Sequence, residues 1–146
     1  MKRYSLANYI LSISPKDQGI KSMFGVISLG GKDSYLGNIT ISIDPTLWST
    51  KGYATGAWVH DKNLSRVGSC SVSIHQLADE VIKFIRLCQY YYSGDYNGCT
   101  LTVSDTKGNK VATCEDCYIS KIPDQTFGES SGNQSWSFTC GKVSFQ

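Results

Sequence analysis

Apolar and polar residues alternate with a period of two along most of the chain, the pattern of strands that bury one face. Asn38 to Asp44 sets Ile39, Ile41 and Ile43 against Asn38, Thr40, Ser42 and Asp44, and Ser69 to His75 sets Cys70, Val72 and Ile74 against Ser69, Ser71, Ser73 and His75. Thr100 to Thr106 and Gln134 to Phe145 repeat the device, the latter with Trp136, Phe138 and Cys140 on one face, and Val111 to Lys121 reads as a further strand. Two earlier strands are predicted at Tyr4 to Ser14 and Ile20 to Leu29, separated by the turn signal Pro15-Lys16-Asp17-Gln18-Gly19. Gly30-Gly31-Lys32-Asp33 then predicts a hairpin between the Ile20 strand and the isoleucine strand, and Asp105 to Asn109 predicts another turn. Seven strands at this spacing predict a mainly β fold, an antiparallel β-sandwich or barrel.

One segment changes period. Leu77, Val81, Phe84, Ile85, Cys88 and Tyr92 recur at helical spacing, with charged and amide residues mainly between them, which predicts one flanking α-helix over about 75–92. Ser73 and Gln76 have the spacing of a capping box, and Ser93-Gly94 supplies a stop. Tyr90, Tyr91 and Tyr92 are consecutive, and helical residues lie about 100° apart, so at least one ring is expected outside the core. Residues 45–67 show weak periodicity and read as a long loop containing Trp48, Tyr53 and Trp58. Such aromatics either fold over the domain's own core or form an arm that inserts into a neighbouring subunit, and their number in one loop favours the arm.

The chain has 146 residues, within the size of one domain, so residues 1–146 are taken as a single unit. Fourteen basic and twelve acidic residues give a net charge of +2, and the bases are scattered, which argues against a nucleic-acid-binding tail. Charged residues make up 18% of the chain against a usual share of about 25%, and twenty Ser with ten Thr supply the polarity instead. No signal peptide and no membrane span is expected, because even Val81 to Cys88 is broken by Lys83 and Arg86.

Candidate chemistry is sparse. The six cysteines read as reduced thiols, and no metal or cofactor is expected. Cys114-Glu115-Asp116-Cys117 has knuckle spacing without a second pair, although Cys99 and Cys140 could complete four ligands. On a regular strand, Cys114 and Cys117 face opposite sides, leaving one buried and one elsewhere. A catalytic centre would require one of them to approach His60 or His75, and no nucleophile elbow, P-loop or zinc-protease motif is present. No catalytic residue is assigned.

The C-terminal half carries a family resemblance. Lys121-x-Pro123-Asp124-x-Thr126-Phe127-Gly128 and Trp136-x-Phe138-x-x-Gly141-Lys142, following the helix and the Gly98 to Asp105 strand, resemble the tail tube proteins of contractile-tailed bacteriophages, with the match running over roughly residues 65 to 145. The resemblance extends to the tube-forming protein of type VI secretion systems. It implies a non-enzymatic subunit that assembles into stacked hexameric rings. They form the hollow conduit for DNA ejection inside a contractile sheath, with a baseplate or tube initiator as further partner. It also implies a place in the virion tail after synthesis in the host bacterial cytoplasm. Trp48, Tyr53, Trp58 and Tyr91 are the candidate subunit-interface residues. A tail terminator or initiator ring shares this fold and stops at one layer. A soluble β-sandwich module that holds a sugar or peptide with its aromatic loop is the reading from another class.

Overall fold

The alternating segments pair into one sheet. A computed structural model describes residues 2–94 and 96–146, and in it seven antiparallel strands curl into a half-barrel. In chain order the elements are β1 (Tyr9–Pro15), α1 (Gln18–Phe24), β2 (Ile27–Gly30), β3 (Leu36–Ile43), β4 (Trp48–Gly52), β5 (Trp58–Lys62), β6 (Gly68–His75), α2 (Asp79–Ser93), β7 (Cys99–Asp105), β8 (Lys110–Ile119) and β9 (Asn133–Phe145), with a short 3-10 turn at Leu6–Asn8. The large sheet has the order β2-β1-β7-β8-β9-β6-β3, and β4 and β5 form a separate two-stranded sheet. Mainly β architecture with a flanking helix is therefore what the chain adopts.

Helix α2 closes the dry side. Val81, Phe84, Leu87 and Cys88 are buried, and the Phe84 ring packs 5.3 Å from Trp136 and 6.1 Å from Phe138, centroid to centroid. Each such side chain removed from water stabilises the fold by about 1.5–3 kcal/mol. Leu77 precedes the helix and is 69% exposed, and Tyr92 is 78% exposed at its end, so the buried stripe is shorter than its spacing predicts and includes Leu87. The capping box does not form. Ala78 occupies the cap position without a side-chain bond, Gln76 instead accepts from the Gly132 amide, and Ser73 stays within β6.

The predicted Ile20 to Leu29 strand is two elements. Asp17 begins a two-turn helix that buries Ile20, and Gly25, at φ 65°, ends it in a region that disfavours a Cβ. Only Ile27 to Gly30 is extended. The first strand likewise starts at Tyr9 rather than Tyr4. The predicted hairpin between β2 and β3 also does not form, because β2 pairs with β1 and β3 pairs with β6, at opposite edges of the sheet. The Gly31 amide donates to the Tyr9 carbonyl, so the chain after β2 is held on β1 instead of folding back on itself. The segment read as a loop at 45–67 contains the β4–β5 hairpin, paired from Trp48 with Lys62 to Gly52 with Trp58.

Gly68 lies at a close approach of β6 to β3. A Cβ there would overlap the Ser42 carbonyl and reach 2.9 Å from Val143 Cγ2. Gly68→Ala is expected to destabilise the fold by about 1–3 kcal/mol. Gly128→Ala, with nothing within 4 Å, is the control expected to stay within about 0.5 kcal/mol. Urea unfolding of the two variants checks this, and equal midpoints would contradict the packing assigned to Gly68.

Candidate assembly surfaces

Alternation gives the seven-stranded sheet a second face as uniform as its core face. Across β3, β6 and β9 the cross-strand rows read Asn38–Ser73–Ser135, Thr40–Ser71–Ser137 and Ser42–Ser69–Thr139. Across β2, β1, β7, β8 and β9 a longer row reads Ser28–Ser12–Thr102–Thr113–Ser144. None of these positions is charged. Their hydroxyls bond to neighbours where they meet, as in Ser42 Oγ to Ser69 Oγ at 3.1 Å, and such pairs contribute about 0.2–1 kcal/mol each.

One interruption carries charge. Asp116 has φ 55°, and β8 slips by one residue against β7 between Cys99 and Leu101. This β-bulge places Glu115 and Asp116 together on the exposed side and turns both Cys114 and Cys117 inward. The expectation that the two thiols face opposite sides is corrected by that extra residue. Opposite the bulge, β9 also breaks alternation, with Cys140 and Val143 both buried around exposed Gly141 and Lys142. Asp116 takes an ion pair from Lys16 at 3.7 Å, which ties the end of β1 to the bulge.

The inward cysteines form a row through the sheet, Cys99–Cys117–Cys140, with Cys114 and Cys70 beside it. Burial, with the neighbouring thiols second, pushes Cys70 from 9.0 up to about 12. Burial likewise raises Cys99 to about 12 and Cys88 to about 11. Hydrogen bonds among Cys114, Cys117 and Cys140, with burial second, push the Cys117 and Cys140 thiols up, and the same bonds push Cys114 down. Among the described residues no group of three or more His, Cys, Asp or Glu is arranged to hold a metal ion. Neither histidine joins the thiols: His60 Nδ1 meets Thr50 Oγ1 on the hairpin at 2.8 Å, and His75 accepts from the Leu77 amide and meets Ser131.

Three of the four candidate interface residues come together. Every residue of β4 and β5 is exposed. The register puts Trp48, Thr50, Trp58, His60 and Lys62 on one face of this hairpin, with the Lys62 ammonium 5.5 Å from the Trp48 ring centre. Tyr53 begins the turn, covered by Lys51 at 5.3 Å. Trp58 is 67% exposed. Tyr91 lies apart, half-buried on α2; its hydroxyl donates to the Asn97 carbonyl at 3.0 Å and its ring meets Tyr96 and Tyr118 edge-on. Burial, reinforced by Cys99 and Tyr118, raises its pKa. Phe127, 90% exposed in the irregular segment between β8 and β9, is an aromatic that periodicity had no means of placing.

Two edges complete the surface. Among the described residues, β2 and β3 each have one side without a strand partner, leaving rows of unpaired N–H and C=O groups. No described helix is long and apolar enough to cross a membrane.

Comparison with known proteins bears on these surfaces. Residues 25–146 match the sequence profile of the family described as the Bacteriophage PhiTE tail tube protein. No curated protein matches the chain. Among solved structures, a chain of the PVC sheath/tube terminator structure of an extracellular contractile injection system, in its extended state, is similar at 13% identity and TM-score 0.57, over 100% of this chain and 98% of that one. A chain of the PVC sheath-tube complex in its extended state is similar at 13% identity and TM-score 0.57, over 99% and 92%. A chain of the anti-feeding prophage tube-terminating cap is similar at 11% identity and TM-score 0.54, over 100% and 93%.

The thiols make a prediction independent of assembly. Groups whose pKa is raised on folding contribute fully below pH 9, and that contribution is lost as pH rises toward 12, because the unfolded chain ionises first. The urea midpoint is expected to be flat from pH 7 to 8.5 and to fall steadily above 9. A thiol reagent at pH 8 is expected to label the six cysteines only after unfolding. Prompt labelling of the folded chain would contradict the burial.

Proposed function

As the chain belongs to the bacteriophage PhiTE tail tube family, we propose that it is the repeating subunit of a hollow tail tube rather than an enzyme. The observation that carries this reading is a seven-stranded sheet with hydroxyl cross-strand rows on its second face and two unpaired edges. Joining the β3 edge of one copy to the β2 edge of the next satisfies both rows of backbone groups, and a heterologous contact of this kind closes into a ring when its rotation allows. Six copies form the ring. The hydroxyl face lines the bore, where the rows carry no Lys or Arg and Lys142 at the bulge stands opposite Glu115, which leaves DNA phosphates little of the pairing that makes nucleic-acid binding tight. DNA passes through without being held.

Stacked rings extend the tube, the aromatic hairpin reaching from each copy to a neighbour through Trp48, Tyr53 and Trp58. Tyr91 marks a second contact surface along α2. A contractile sheath outside and a baseplate or tube initiator at one end are the partners, which fits similarity to a chain of a sheath-tube complex. The assembly belongs to the virion tail, after synthesis in the host cytoplasm. A terminator ring is the second reading, supported by similarity to a chain of the PVC sheath/tube terminator structure at the same TM-score of 0.57 as the sheath-tube chain. A sugar- or peptide-binding module called for a concave aromatic site, whereas the aromatics stand on an exposed hairpin.

Negative-stain electron microscopy with light scattering across concentration tests the proposal. Six-fold rings that stack into open-ended tubes are expected. Isolated rings at every concentration would favour the terminator, and a strict monomer even with baseplate components would overturn both. Truncating an aromatic anchor at the centre of an interface costs about 2 kcal/mol or more. Trp58→Ala is therefore expected to raise the assembly concentration at least about tenfold, while leaving the urea midpoint unchanged, since Trp58 is exposed.

A further inference from the structure

Strands β3 and β6 run side by side between two surface features of opposite character. At the Ile43 and Gly68 end, where the hairpin leaves the sheet, Leu47, Leu64, Val143 and Phe145 line an apolar groove of about 440 Å³ into which Lys62 and Arg66 also face. Those two are the charged residues of its lining, and both are basic. At the Leu36 and His75 end, Leu77 and Tyr35 are exposed next to Asp79 and Glu80 in the first turn of α2, in a depression that Lys32 and Asp33 also line, so its three acids outnumber its one base. The Lys16–Asp116 pair is the one ion pair among the described residues, so Lys62, Arg66, Asp79 and Glu80 have no ionic partner there. The eight residues of β6 separate the two features by about 23 Å at the rise of an extended strand.

Leu77 explains little within its own chain. It lies outside α2 and gives most of its surface to water, between His75 and the acidic first turn. A lone exposed leucine needs no explanation, but an exposed leucine with carboxylates beside it matches an apolar groove with two bases in both respects.

Resting on the tube-subunit reading, we infer that the α2 start of one copy, Leu77 with Asp79 and Glu80, docks in the Lys62/Arg66 groove of the next copy along the stack. The occupant of the groove is a second copy of this chain. Because groove and docking patch sit at opposite ends of the same two strands, the contact is heterologous and leaves each end of a stack able to accept another layer. It is also adjacent to the hairpin, whose β5 ends in Lys62, so hairpin and groove address the same neighbour. Each surface ion pair alone is weak and screened by salt. Repetition around a ring makes the sum large enough to set whether rings stack.

Charge reversal tests the contact. Lys62→Glu with Arg66→Glu places acids against acids, and Asp79→Lys with Glu80→Lys places bases against bases. Each variant alone is expected to form rings but to need at least about tenfold more protein to form tubes in negative-stain images. An equimolar mixture of the two is expected to restore stacking, since each variant then meets an opposite charge. Circular dichroism and urea midpoints matching the parent exclude misfolding as the cause. Tubes from either variant alone at the parent's concentration would overturn the inference while leaving the tube reading intact, as would a mixture that stays unstacked. Loss of rings in either variant would also overturn it, by placing the contact within a ring. A parent protein that gives neither rings nor tubes would instead overturn the tube reading itself.

Discussion

Each strand of the seven-stranded sheet can give only one face to the core, because successive Cβ atoms point to opposite sides. The chain has one long helix to cover that face, and α2 does so through Phe84 against Trp136 and Phe138. Everything on the other face must then be compatible with water or with another protein surface. Thr meets that condition with high strand propensity, and Ser meets it with a small uncharged side chain that bonds to its cross-strand neighbours. The hydroxyl rows and the low overall charge are thus two descriptions of one constraint, the need to keep a wide sheet extended while half of it lies outside the core.

The same constraint accounts for the edges. A half-barrel that does not close leaves β2 and β3 with unpaired backbone groups, a liability that isolated proteins manage by charge, proline or covering elements. Neither edge strand places Lys or Pro among its own residues. An oligomer that pairs the edges, as proposed for the ring, would remove the liability. The buried thiols fit this picture as core residues. Cys99, Cys117 and Cys140 fill a row across three adjacent strands, and the bulge at Asp116 brings Cys114 to the same side.

The β6, β7 and β9 strands, the turn at Asp105 to Asn109 and the buried face of α2 were legible because each is set by neighbours in sequence: a period, a turn residue or an amphipathic stripe. The Asp105 carboxylate, for example, accepts from the Lys107 and Asn109 amides within its own turn. The short helix at Gln18–Phe24 escaped because Ile20, Met23, Phe24 and Val26 fit a strand with two apolar faces as well as a helix followed by a bend, and Gly25 decides between them only through its positive φ. The β4–β5 hairpin escaped for the opposite reason. All its residues are exposed, so no buried face imposes a period on its sequence.

By itself the sequence determined which residues alternate, where the chain turns locally, that polarity is carried by hydroxyls rather than charges, and, through the Lys121 to Gly128 and Trp136 to Lys142 stretches, which family it resembles. Tertiary structure alone decided that β2 and β3 stand at opposite edges, that both thiols of the Cys114/Cys117 pair point inward, and that Leu77 lies exposed at the far end of β6 from Lys62 and Arg66. The reason is range. Periodicity and turn chemistry act over a few residues, whereas edge position, bulge register and the placing of patches at opposite ends of a sheet depend on pairings such as β1 with β7 and β6 with β9, between residues more than fifty apart in the chain.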